Sequence, residues 1–131
     1  MEKLDEVLQT DDWKTEKHVP VIEVEGKAEK GQPIKVNVMI GKEVSHPNTT
    51  QHHIRWISLF FKPQGEKFPF QIGDIVFAAH GSSVDGADTS TVYTEHQGTF
   101  VFKTEKPGTL LSSSYCNIHG LWENSKELEL G

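Results

Sequence analysis

The sequence predicts an all-β domain: an immunoglobulin-like antiparallel β-sandwich with one short N-terminal helix. Three observations lead there. Apolar residues recur at every second position in several short segments, the pattern of half-buried strands. Clusters of Gly, Pro, Asn and Ser separate those segments at short, even intervals. Helical spacing is confined to one stretch near the N-terminus. Many short strands with regular turns make a two-sheet sandwich, with a closed barrel as the alternative. At 131 residues the chain forms one domain, 1–131, large enough to bury a core without disulfide staples.

The elements follow in order. Over residues 3–9, Leu4, Val7 and Leu8 stand at helical spacing, and Thr10-Asp11-Asp12 should stop the helix. Trp13 reads as a packing anchor. Residues 16–21 read as an extended segment or a loop, because Pro20 has no donor and restricts Val19. From residue 33 the period becomes two: Ile34, Val36, Val38 and Ile40 alternate with Lys35, Asn37 and Met39, and Gly41 ends the strand. Residues 46–50, His-Pro-Asn-Thr-Thr, are a loop. Residues 54–61 form a strand with Ile57, Leu59 and Phe61 on one face and Ile54, Trp56 and Phe60 on the other; apolar residues on both faces imply a central strand. After a turn at Pro63-Gln64-Gly65, strands are expected at 68–72 and 75–79, split by Gly73-Asp74, then a loop over 81–90. Residues 99–104 and 109–115 read as a hairpin closed at Lys106-Pro107-Gly108, and a final short strand is expected at 126–130.

Composition limits the function classes. Apolar residues make up 35% of the chain, mean hydropathy is -0.48, and no apolar run approaches a membrane span. The acidic, mixed opening Met1–Glu6 does not look like a secretory leader, so a cytoplasmic protein is expected. One cysteine excludes an intrachain disulfide and suits a reducing compartment. A net charge of -6 with a single arginine, Arg55, argues against nucleic acid as a partner, because phosphate binding needs clustered cations.

The chemistry centres on Cys116 and His119. Three residues apart, they can reach one metal ion from a single turn. Taken alone, Cys116 also reads as a buried structural thiol or as a nucleophile with His119 as its base. No oxyanion-hole pattern accompanies it, and a nucleophile would leave the upstream histidines without a role. Of the seven histidines, His18 and His46 sit in loop-like stretches beside prolines. His52 and His53 are neighbours at a strand start and point to opposite faces, so only one can enter a shared site. His80 and His96 rank below these. Four imidazoles and a thiolate exceed the four ligands of a structural zinc site and suit iron with a position left open. A blue-copper electron carrier needs a similar Cys and His set plus an axial Met after the cysteine loop, but Met1 and Met39 both precede it. A zinc-stabilised binding module is the third reading.

Three segments carry a family resemblance: Glu16–Val21 (EKHVPV), His46–Trp56 (HPNTTQHHIRW) and Ser114–Glu123 (SYCNIHGLWE). Together, from about Trp13 to Glu123, they resemble superoxide reductases of the one-iron, neelaredoxin type. The resemblance implies one mononuclear iron with His18, His46, His52 and His119 as equatorial ligands and Cys116 as the axial one. It also implies that Glu16 and Lys17 flank the open sixth position, with Glu16 binding ferric iron at rest and leaving on reduction. The implied reaction is one-electron reduction of superoxide to hydrogen peroxide without release of dioxygen. Electrons would come from a rubredoxin-type donor; nothing here reads as a nicotinamide or flavin motif. A homotetramer is the implied assembly. Gln51 and Ser45 stand where many members have Glu and Pro. Two-iron members hold a second iron with four cysteines, which one cysteine cannot supply.

Overall fold

The period-two segments become the strands of two antiparallel sheets. The computed structural model describes residues 1–131, with α1 at Leu4–Val7 and seven strands: β1 Val21–Glu25, β2 Ile34–Met39, β3 Ile54–Pro63, β4 Phe70–Val76, β5 Gln97–Phe102, β6 Gly108–Cys116 and β7 Gly120–Leu128. One sheet runs β1-β2-β5, the other β4-β3-β6-β7. They pack face to face as the expected immunoglobulin-like sandwich. Val36 and Val38 of the first sheet and Ile57, Leu59 and Leu110 of the second are fully buried in the shared core. Each such side chain contributes about 1.5–3 kcal/mol by leaving water. No helix is long and apolar enough to cross a membrane.

Several elements depart from expectation for identifiable reasons. The helix is a single turn with no side-chain cap and no buried residue, too short to repay nucleation. Beyond it Gln9 turns extended and pairs in parallel with Trp122. The extended stretch through Pro20 runs on into β1, whose Val21 and Ile22 are buried. Ile54 joins the core face, not the opposite one, because the register shifts between Ile54 and Trp56 and Arg55 becomes the extra residue of a bulge. Gly73-Asp74 does not split a strand either: β4 continues through it, and Ile72 is left unpaired where the register shifts at Leu59/Phe60.

The expected hairpin of 99–104 with 109–115 does not form. β5 pairs with β2, while β6 pairs with β3 and β7, so the connection arches from one sheet to the other. Phe100 and Leu110 thus meet within the core instead of lying side by side in one sheet. The last strand is long, starting at Gly120, because Cys116 pairs with Gly120 and Asn117-Ile118-His119 form a tight hairpin loop. Gly120 takes φ 83, the left-handed conformation such a loop requires.

This topology gathers three segments at one end of the sandwich: the lead into β1, the lead into β3 and the β6–β7 hairpin tip. The β3–β6 pairing ends with Ile54 opposite Cys116, which brings His52 and His53 to the cysteine. At the far end, Gly108 faces Pro63, and a Cβ there would stand 2.2 Å from the Lys62 carbonyl oxygen and 2.9 Å from Pro63 Cα. Gly108→Ala should therefore lower stability by about 1–3 kcal/mol through backbone displacement. A thermal melt by circular dichroism checks this, and an unshifted midpoint would refute the close approach.

Candidate metal centre

The β6–β7 hairpin sets the base of the site. Cys116 is fully buried, and the N–H of His119 donates to its Sγ at 3.4 Å. The hairpin is tied to the lead into β3 through Asn117. Its N–H donates to the His53 carbonyl at 3.2 Å, its Oδ1 accepts from His53 N–H at 2.9 Å, and its Nδ2 donates to Gln51 O at 2.8 Å. Ser114, buried on β6, donates to the His18 carbonyl, and Trp122 on β7 stacks against the His18 ring at 4.8 Å and 12°. Gly41 (φ 80) returns the chain from β2 to His46; a Cβ there would meet His46 N at 2.7 Å.

Four histidine rings close into a near-square. Consecutive centroids are 4.8 Å apart for His18–His46, 4.8 Å for His46–His52, 5.0 Å for His52–His119 and 4.7 Å for His119–His18. The His18–His52 diagonal is 6.4 Å. Donor atoms of His18, His52, Cys116 and His119 all lie within 4.8 Å of one another. His46 stands just outside that group, and its Nε2 is buried without any hydrogen-bond partner. His119 is exposed and His52 half-buried, while His18, His46 and Cys116 are buried.

The donor chemistry fits a transition-metal ion. Two nitrogen ligands at right angles, each about 2.1 Å from one ion, stand about 3.0 Å apart. His18 Nε2 and His119 Nδ1 are 3.1 Å apart, and His119 Nδ1 and His52 Nε2 are 3.2 Å apart. Second partners select which nitrogen faces inward. His46 Nδ1 donates to Pro47 O at 2.7 Å, leaving the orphaned Nε2 as a lone pair aimed at the other rings. His18 Nδ1 is held by Glu16 Oε1 at 2.5 Å. Burial lowers the pKa of His46 to about 3, with His18, His52 and His96 adding to the effect and Pro47 O opposing it. Burial also lowers His18 against the opposing pull of Glu16. His52 is lowered by burial and then by His119 and Lys17. These rings are therefore neutral donors at neutral pH. Four nitrogens and one sulfur exceed a tetrahedral zinc set.

Glu16 and Lys17, the two expected flanking residues, immediately precede His18 in the chain. Glu16 is outside the donor cluster: its carboxylate accepts from the His18 ring and from the His18 backbone N–H at 2.9 Å. Burial raises its pKa, but those hydrogen bonds outweigh it and the net shift is downward. Lys17 is half-buried, and its charge reaches His18 and His52. His53 stays out of the square, as alternation requires. Two supporting residues, Trp122 and Asn117, were given no role of their own from the sequence; His96, a lower-ranked candidate ligand, is a buried ring packed edge-on to His46 at 5.8 Å. The tight Cys116–Gly120 spacing was the available signal for Asn117, since it marks a hairpin tip.

Comparison with known proteins points one way. A family model described as Desulfoferrodoxin matches residues 10–125. Superoxide reductase of Pyrococcus furiosus is 56% identical over 126 residues, covering 96% of this chain and 99% of its own length. Neelaredoxin of Megalodesulfovibrio gigas is 51% identical over 128 residues, covering 98% of each. Among solved structures, the reduced form of superoxide reductase (neelaredoxin) from Archaeoglobus fulgidus is similar with a TM-score of 0.90 at 58% identity, covering 95% of this chain and 99% of that one.

Neutral buried histidines make the metal-free fold acid-sensitive. Their folded pKa values lie below the unfolded value of about 6.5, so the unfolded state binds more protons as pH falls. The stability they contribute is complete above about 6.5 and is lost progressively on acidification, with His46 lowered to about 3. Thermal midpoints of the metal-free protein should fall between about pH 7 and pH 4, less steeply in His46→Phe. A flat profile, or equal slopes in the two proteins, would contradict the burial assigned to these rings.

Proposed function

The chain belongs to the desulfoferrodoxin family, and from that premise we propose that it is a superoxide reductase holding one iron on His18, His46, His52, His119 and Cys116. Superoxide accepts one electron and two protons and leaves as hydrogen peroxide, with no dioxygen released. The observation that carries this function is the near-square of four imidazoles gathered with a buried thiol, two of the rings buried, His52 half-buried and His119 exposed. When bound, iron supplies the one-electron couple.

The remaining requirements fall on the side chains. Buried Cys116 would hold the metal through its sulfur as a thiolate, with the His119 N–H donating to it. Its burial keeps oxidants in solvent away from the sulfur. Lys17 sets a positive charge beside His18 and His52, where it draws in a small anion and orders a water that donates protons. Glu16 keeps His18 Nδ1 paired, which fixes the ring's orientation. The same carboxylate is the group that would bind ferric iron at rest, so it serves one partner at a time. A rubredoxin-type protein supplies the electron. Homotetrameric assembly and a cytoplasmic setting, where the single thiol stays reduced, belong with this function. An apolar groove over the outer face of the four-stranded sheet, lined by Leu4, Leu8, Trp56, Phe60, Leu111 and Leu121, supports association.

Pulse radiolysis of the reduced, iron-loaded protein tests the reaction: superoxide should decay with peroxide formed and no oxygen evolved. Release of oxygen would sink the proposed activity. Lys17→Ala should slow the second-order step by about tenfold at low salt, with the difference shrinking as salt rises; equal rates would remove Lys17 from anion capture. Cys116→Ser should abolish the thiolate-to-Fe(III) absorption, and survival of that band would refute Cys116 as a ligand. Electron paramagnetic resonance distinguishes high-spin Fe(III) from the Cu(II) of a blue-copper carrier.

A further inference from the structure

Beside the ligand square, two further histidines lie flat against each other. The rings of His53 and His80 stack at 3.6 Å between centroids with 6° between planes. His53 Nδ1 donates to Thr49 O at 2.8 Å. His80 faces an oxygen from each ring nitrogen: Phe77 O lies 2.7 Å from Nε2, and Asn48 Oδ1 lies 3.2 Å from Nδ1. Both partners are acceptors. The Asn48 amide cannot be turned around without loss, because its Nδ2 donates to Thr94 O at 2.5 Å. A neutral imidazole has one N–H and can satisfy only one of the two oxygens; the cation satisfies both.

The two oxygens belong to different parts of the site's framework. Phe77 follows β4, and its N–H donates to Arg55 O on β3. Asn48 stands between His46 and His52 in the loop that presents both. The same loop is gripped by the segment after β4. Thr50 N–H donates to Asp88 Oδ1 at 2.7 Å, and Thr50 Oγ1 donates to His80 O at 3.3 Å.

We propose that His80 is a positioning residue for the metal centre, linking Phe77 to Asn48, and that gaining a second ring proton tightens the loop carrying His46 and His52. The inference rests on the proposed metal site but touches none of its ligands. The charged or titratable groups around His80 are His53 stacked on its ring, Arg55 from β3, Asp88 from the following loop, bonded to Thr50, and exposed Tyr93, bridged antiparallel to His80. Burial lowers the pKa of His80, and His53 and Arg55 add to this, while the Phe77 carbonyl opposes it. The ring is thus neutral at neutral pH, with Asn48 Oδ1 unpaired by it. Acidification below the ordinary histidine range supplies the second bond.

Two amide variants separate the bonds. His80→Gln retains a donor for Phe77 O but none for Asn48; His80→Asn retains a non-titrating donor toward Asn48. Iron release to excess chelator, followed by loss of the thiolate-to-iron band, is compared with wild type in each. The His80→Gln to wild-type ratio should be near one at about pH 8 and rise to about tenfold at about pH 5.5, the scale of a charge-assisted hydrogen bond. His80→Asn should release iron more slowly than His80→Gln at both values. A ratio independent of pH, or identical behaviour of the two variants, would overturn the proposal and leave only packing damage, which thermal melts would register. Amide hydrogen exchange at Thr49 and Thr50 in the metal-free chain gives a readout that needs no iron. Protection there should rise on acidification in wild type and not in His80→Gln; equal profiles would overturn the proposal. Absence of a thiolate-to-iron band in wild type would instead defeat the assignment of the metal, with the exchange result still deciding the role of His80.

Discussion

The antiparallel pairing of β3 with β6 is the constraint on which the site depends. Its register ends at Ile54 opposite Cys116, and Asn117 then bonds both backbone sides of His53. Those contacts place the histidine pair and the cysteine at one level of the sheet. The bulge at Arg55 matters here, since it turns Ile54 into the core and sets the phase in which His52, not His53, reaches the square. His18 is then added from the lead into β1, braced by Trp122 and Ser114 of the neighbouring strands.

The resulting arrangement is costly without a cation. Three ring nitrogens crowd together at His119 Nδ1, whose single proton can serve only one of the two neighbouring rings, and the buried Nε2 of His46 has no partner at all. Protonation, the usual relief for such crowding, is opposed by burial and by the neighbouring rings. The core bears this cost. Valines and isoleucines that face one another between the sheets are fully buried, and their burial is worth far more than one orphaned nitrogen costs. A rigid sandwich with ligands on its loops and one hairpin tip can thus keep a strained donor set ready for its ion.

Charge and exposure vary around the square. The thiol is buried and receives one backbone N–H, while His119 is at the surface, His52 is half-buried and the positive charge of Lys17 is felt at both His18 and His52. Glu16 adds a fixed negative charge at the same corner, its carboxylate accepting from the His18 ring and backbone.

Strand alternation in Ile34–Ile40 and the central place of β3 were legible because a side-chain period of two is written directly along the chain. So were the donor residue types and their family pattern, since ligand chemistry belongs to individual side chains. Sheet membership was not. Residues 99–104 and 109–115 carry identical local signals for a hairpin and for an arch between sheets, and only the burial of Phe100 and Leu110 in a common core selects the arch. Likewise the sequence by itself determined that one thiol and several imidazoles were available near turns. The tertiary structure alone decided which four rings form a square, that Glu16 rests on His18, and that His80 lies between two acceptors. Those outcomes depend on contacts between residues far apart in the chain, and no local period or spacing encodes a distance across two sheets.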